Sequence, residues 1–236
     1  MIIEKAFYST CFEVIGTSIY EKTNEEHLRG LMLQKIYEQF QLNYWDTSRI
    51  LPQCKYELTN VNKWCDIKVE FPRIIEFPYS PYGIFKTNWI EIKYLKRWNQ
   101  KQIINDLIRL CLLPRESRGK IKENGRYFML VKNSYIPKKQ NDGLRKIFNS
   151  GEHESIQIQY TDFTLTLDKV CTYEFKPFYK PKTKNCFFSC YLIKILGFTF
   201  TSGGKTLTVT AEPATVFAYD ETQEEFANKI DTFIQK

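Results

Sequence analysis

Asp66, Glu91 and Lys93 are the residues of this chain whose types and spacing could do chemistry. Read as a strand, Trp89 to Tyr94 alternates, because side chains on a pleated backbone point to opposite faces with period two. Glu91 and Lys93 then share one face, while Ile90, Ile92 and Tyr94 enter the core on the other. An earlier strand, Trp64 to Phe71, puts Asp66 on a polar face by the same parity. Two acids and a lysine carried on neighbouring strands can hold a divalent cation and position a water beside it. That is the minimum apparatus for hydrolysing a phosphodiester. Oxygen ligands such as Asp66 and Glu91 suit Mg²⁺ or Mn²⁺, and Lys93 would hydrogen-bond the nucleophile and offset charge developing on phosphorus. The competing account is an exposed strand face on which Glu91 and Lys93 form a weak ion pair worth ~0.2–1 kcal/mol.

The elements that must position these groups follow from periodicity. Met1 to Ile19 mixes β-branched and aromatic residues and favours neither helix nor strand. A helix is expected from about Asn24 to Phe40, with Thr23 as N-cap, Glu26 three residues on, and Leu28, Leu31, Met32, Ile36 and Phe40 as its apolar stripe. Tyr56 to Val61 and Trp64 to Phe71 read as strands joined by an Asn62-Lys63 turn. Pro72, Pro78, Pro81 and Gly83 punctuate a connection that includes a short strand at Arg73 to Phe77. Ile84 to Leu95 is the strand that carries Glu91 and Lys93. A helix from about Gln100 to Leu113, stopped by Pro114, a buried strand at Arg126 to Val131 and a short helix at Asp142 to Phe148 complete the first 150 residues. The second part, 151–236, reads as β-rich. Strands are expected at Ser155 to Leu167, Lys169 to Phe175 and Phe187 to Ile195, then a hairpin around Ser202-Gly203-Gly204-Lys205, then a closing amphipathic helix from Gln223 to Ile234. The fold class is therefore α/β: a mixed central sheet flanked by helices, with a β-rich C-terminal extension that either completes the same domain or stands beside it.

Composition bounds the classes of function. A hydrophobic fraction of 43% with 16% aromatics is ample for a packed core and argues against disorder. Met1 to Thr10 holds Glu4 and Lys5 and lacks the apolar stretch expected of a secretory signal, and the most apolar window, Cys186 to Phe200, is interrupted by Lys194 and too short to span a bilayer. Seven scattered cysteines without CxxC spacing fit reduced thiols in a cytoplasm. From Lys93 to Lys146 there are fifteen Lys or Arg against four Asp or Glu, so this stretch carries +11 while the remainder carries −4 of the net +7. A basic half directly following the acidic pair suits a polyanion partner, since phosphate neutralisation dominates nucleic-acid affinity; the plainer account is lysines that keep a helix face solvated.

In order of elements, residues 24–132 resemble the PD-(D/E)xK nuclease superfamily, whose core is shared by type II restriction endonucleases. There a helix precedes a strand pair, the first strand supplies an Asp and the next a Glu-x-Lys, and a helix and further strand follow. Here the corresponding residues are Asp66 and Glu91-Ile92-Lys93. The resemblance implies metal ligation by Asp66 and Glu91, water activation by Lys93 and an acid on the preceding helix, Glu26 or alternatively Glu25. Cys65 stands where the superfamily often has proline, and Glu70 or Glu76 is an alternative first ligand. The implied activity is Mg²⁺- or Mn²⁺-dependent cleavage of DNA in restriction or anti-phage defence. A C2 homodimer would cut both strands, and a partner subunit of a defence system is a further expectation. Rivals are an RNase or structure-specific nuclease with the same site, a non-catalytic nucleic-acid-binding subunit, and a protein-interaction module with an incidental Glu-x-Lys.

Lys96, Arg97, Lys101, Arg115, Arg118 and Lys120 lie close after the proposed site and are candidate phosphate contacts. Lys180 and Lys182, in the run Lys176 to Lys184, interleave with aromatics that would stack on bases, or else belong to a stiff exposed linker. Arg109 is expected to pair with Asp106 at i, i+3 on its helix. Gly203-Gly204-Lys205-Thr206 has the wrong spacing for a phosphate loop, and neither His27 nor His153 has a metal-spaced partner.

Overall fold

The computed structural model describes residues 2–18, 23–55, 64–72, 85–96, 98–111, 124–132, 144–160, 163–175, 188–202 and 205–210. These form an α/β structure in which a mixed eight-stranded sheet carries helices on both faces. Helices α1 (Ile2–Ser18) and α2 (Glu25–Leu42) precede strands β1 (Ile50–Lys55), β2 (Trp64–Pro72) and β3 (Phe85–Leu95). Helix α3 (Gln100–Cys111) crosses to β4 (Asn124–Lys132), followed by the short α4 (Arg145–Asn149) and by β5 (Ser155–Gln159), β6 (Phe163–Phe175), β7 (Phe188–Ser202) and β8 (Lys205–Thr210).

The sheet runs β1-β2-β3-β4-β7-β6-β5, with β8 beside β7. The first three strands form an antiparallel meander. β4 then lies parallel to β3, as a helical crossover demands. β7 is long enough to pair β4 through Ser189–Lys194 and β8 through Gly197–Ser202. The C-terminal strands thus continue the sheet that begins with β1.

Strand parity sorts the core into two layers. Ile67, Val69, Ile90, Ile92, Tyr127, Met129 and Val131 pack under α1 and α2. Trp89, Leu95, Phe128 and Leu130 pack under α3 and α4. Helix α2 buries Leu28, Met32, Ile36 and Phe40, one residue per turn, with Leu31 partly buried beside them. Its N-cap is Asn24 rather than Thr23: the Asn24 side chain accepts the His27 amide at 2.8 Å, while Thr23 is buried.

The N-terminal stretch is a helix, although its composition favours no single state. Ile3, Phe7, Cys11 and Val14 bury one stripe of α1 against α2 and the sheet, and tertiary packing overrides the weak local propensity. Farther on, Ser155 to Leu167 is divided between β5 (Ser155–Gln159) and the start of β6 (Phe163–Phe175) rather than forming one strand. β6 instead runs on through Lys169, absorbing register shifts at Thr166/Leu167 and Lys169/Cys171. Phe188 to Ser202 is likewise one strand, and the hairpin expected after it is formed by the Ser202–Lys205 pairing. Outside the described residues lie the expected strands at Tyr56 to Val61 and Arg73 to Phe77, the lysine-rich run at 176–184 and the closing helix at Gln223 to Ile234.

Candidate active site

The β2–β3 ladder runs from Pro72↔Phe85 to Ile67↔Ile90, and Asp66 on β2 and Glu91 on β3 are the next residues beyond that end. There the Asp66 carboxylate takes the Ile92 amide through Oδ2 at 2.7 Å. Its other oxygen accepts from Arg29 of α2 at 3.3 Å. Across the parallel pair Glu91 adjoins Phe128, whose side chain belongs to the α3 layer, so Glu91 and Lys93 face α3. β3 alternates as its sequence demands: Ile90 and Ile92 are buried in the opposite layer, with Tyr94 packed against it.

Lys93 stands between two carboxylates, Glu25 of α2 at 3.4 Å and Asp106 of α3 at 3.2 Å. Glu25 also accepts the Tyr94 amide at 3.4 Å. Of the two acids at the start of α2, Glu25 is therefore the one brought to the site. The Glu26 side chain is 85% exposed and comes only within 4.0 Å of Arg29. Asp106 receives Arg109 at 2.8 Å, as helical spacing predicts.

Glu70 is engaged elsewhere on β2, with Lys68 at 3.0 Å and Arg49 at 3.3 Å, opposite Thr87. Lys96, just after β3, and Lys101, in the first turn of α3, are exposed. Glu76, Arg97, Arg115, Arg118, Lys120, Lys180 and Lys182 lie outside the described residues.

Three members of the cluster are not evident as such from the sequence: Arg29, Gln53 and, beyond its pairing with Arg109, Asp106. Arg29 is a polar residue on a helix whose apolar stripe drew the attention, and only the fold turns it toward Asp66. Gln53, also missed, has a left-handed backbone at φ 53°, a conformation that costs a non-glycine residue free energy. With its amide oriented to satisfy its surroundings, the Gln53 oxygen accepts from Arg29 at 3.0 Å. One signal for Asp106 was available: an acid inside the run Ile103, Ile104, Leu107, Ile108 must be paired if it is buried.

Electrostatics binds the cluster together. Burial pushes the Asp66 carboxyl above the ordinary range; the Ile92 amide opposes this, the nearby Glu25 charge adds to it, and Arg29 opposes it again. Asp106 is also raised by burial, against the pull of Lys93 and Arg109. For Lys93, burial acts downward but is overcome by Asp106 and Glu25, so its ammonium is held above the usual lysine value. An acid whose folded pKa is raised gives stability below its unfolded value near ~4 and loses it as pH rises through the folded value. In chelator, the melting temperature is therefore expected to climb as pH falls from neutrality toward the ordinary carboxylate range. Glu38, lowered by Lys35, and Asp46, lowered by Ser48, act oppositely and only at still lower pH. Paired Asp66→Asn and Asp106→Asn substitutions should flatten the upper limb of that profile in a calorimetric pH series, and an unchanged limb would contradict the assignment.

Among the described residues, no three His, Cys, Asp or Glu side chains lie close enough together to cage a metal ion. Mg²⁺ rarely needs such a cage: one or two carboxylates with water and substrate phosphate suffice. Asp66 and Glu91 are hard oxygen donors on adjacent strands, the donor type that Mg²⁺ takes, and the Asp66 carboxylate is held by Arg29 and the Ile92 amide. Comparison with protein-family models, curated proteins and solved structures returns no match.

Proposed function

We propose that this chain is a divalent-metal-dependent endonuclease acting on DNA, with Asp66 and Glu91 as ligands of Mg²⁺ or Mn²⁺. The observation that carries this reading is that, where the β2–β3 ladder ends, Asp66 accepts the Ile92 amide of β3 while Lys93, the next residue on that strand, is held by Glu25 of α2, whose charge also acts on Asp66. The parallel β3–β4 pair with α3 between them supports it further, because that order of elements accompanies the Glu-x-Lys in the resembled superfamily. When bound, the ion would acidify a water and neutralise phosphate charge. The chain's own residues do the rest. Lys93, ionised across the neutral range, holds the attacking water by hydrogen bond and counters charge growing on phosphorus. Glu25 steadies that ammonium and is placed to receive a proton. Arg29, once released from Asp66, is a guanidinium within reach of a phosphate oxygen.

Restriction or anti-phage defence in the cytoplasm is the setting this reading favours, with a C2 homodimer or a partner subunit supplying the second cut. The sequence places its basic excess between Lys93 and Lys146, and Lys96 and Lys101 are exposed for phosphate contact. No helix among the described residues is long and apolar enough to cross a membrane.

One observation favours a second reading. Arg29 on Asp66 already neutralises the first ligand, as expected of a nucleic-acid-binding subunit that has given up catalysis. Incubating the purified protein with duplex DNA, single-stranded DNA and RNA, with and without Mg²⁺ or Mn²⁺, separates the two. Metal-dependent cleavage that is lost in Asp66→Ala, Glu91→Ala and Lys93→Ala supports the enzyme, and preference among the three substrates decides between DNase and RNase. Salt-sensitive binding with no cleavage of any substrate supports the subunit.

A further inference from the structure

We propose that Asp106 is the positioning residue for Lys93, an inference that rests on the endonuclease reading above. Asp106 is only 3% exposed, on the face of α3 that otherwise buries Ile103, Ile104, Leu107, Ile108, Leu110 and Cys111. A carboxylate there must be paired, and Arg109 alone, at 2.8 Å, already supplies one neutralising charge. The second cation at its other oxygen, Lys93 at 3.2 Å, therefore does more than cancel the charge of Asp106.

Lys93 needs such a partner. Its ammonium sits at the end of a four-carbon stem with freely rotating donors, and a strand backbone fixes only where that stem begins. Two carboxylates from different helices fix where it ends. They are not equivalent: the Glu25 side chain is 42% exposed, whereas that of Asp106 is 4% exposed. Glu25 can exchange its contacts with water and substrate, while Asp106 stays on the dry side of the ammonium. The ammonium is held by charge rather than by a closed set of hydrogen bonds, since Asp106 Oδ2 makes none among the described residues, and it keeps a donor for the attacking water.

The test is a double-mutant cycle on single-turnover cleavage of duplex DNA by the full chain. Asp106→Asn keeps the shape and removes the charge. It is expected to lower kcat at least tenfold while leaving KM within twofold, and to have no further effect on the residual rate of Lys93→Ala. Equal losses in both backgrounds would show a merely structural role and overturn the proposal, as would a kcat within twofold of wild type. Should Asp106→Asn fail to fold, Asp106→Glu restores a charge but displaces it; an undiminished kcat there overturns the proposal too. A wild-type protein that cleaves nothing removes the endonuclease reading and this inference together, whereas an active wild type with an indifferent Asp106→Asn removes this inference alone.

Discussion

Glu91→Gln is expected to leave the fold unchanged and to reduce Mg²⁺-dependent DNA cleavage by about a thousandfold or more. The substitution is nearly isosteric, on a half-buried side chain at the end of the β2–β3 ladder, so packing against α3 survives. What it removes is the negative oxygen that would hold the ion. Metal polarisation contributes several kcal/mol of transition-state stabilisation, and each ~1.4 kcal/mol is worth about tenfold in rate. Single-turnover rates with saturating enzyme measure the loss directly, and Mn²⁺ titration calorimetry checks that ion binding weakens in parallel. A rate within tenfold of wild type would remove Glu91 from the site.

The largest effect on stability is expected from Phe128→Ala, at about 3–5 kcal/mol. Phe128 is fully buried on β4, a central strand, with Glu91 beside it on β3 and Ile193 beside it on β7. Truncation leaves a cavity that neighbours gripped on both sides can hardly fill. Against a total stability of roughly 5–15 kcal/mol, that loss is severe. Urea unfolding of the two proteins gives the difference, and a value under ~1 kcal/mol would be incompatible with the packing described. A milder loosening here would also move the strand that presents Glu91 and Lys93.

The candidate site was legible where local rules govern it. Alternation along Trp89 to Tyr94 correctly sends Glu91 and Lys93 to one face, because the pleat leaves a strand no other choice. The stripe of α2 and the α3 crossover followed from 3.6-residue periodicity. The choice between Glu25 and Glu26 was not legible, because adjacent helical residues differ by about a third of a turn and only the docking angle selects one. Arg29, Gln53 and Asp106 were missed for a related reason: each matters through a partner remote in sequence, and a lone polar residue carries no record of what it will face. The run of β6 through Lys169 depends on register shifts against β7 that composition does not announce.

The order of the strands also sets a schedule for assembly. β4 ends at Lys132, but the strand that seals its far side does not begin until Phe188. At translation speeds of ~5–20 residues per second, the ribosome needs roughly 3–11 s to make that interval. Throughout it, the hydrogen-bonding groups along one flank of the growing sheet stay open to any passing strand. Synthesis and maturation are thereby coupled: Glu91 and Lys93 are made well before β7, and their scaffold closes only after β7 has followed.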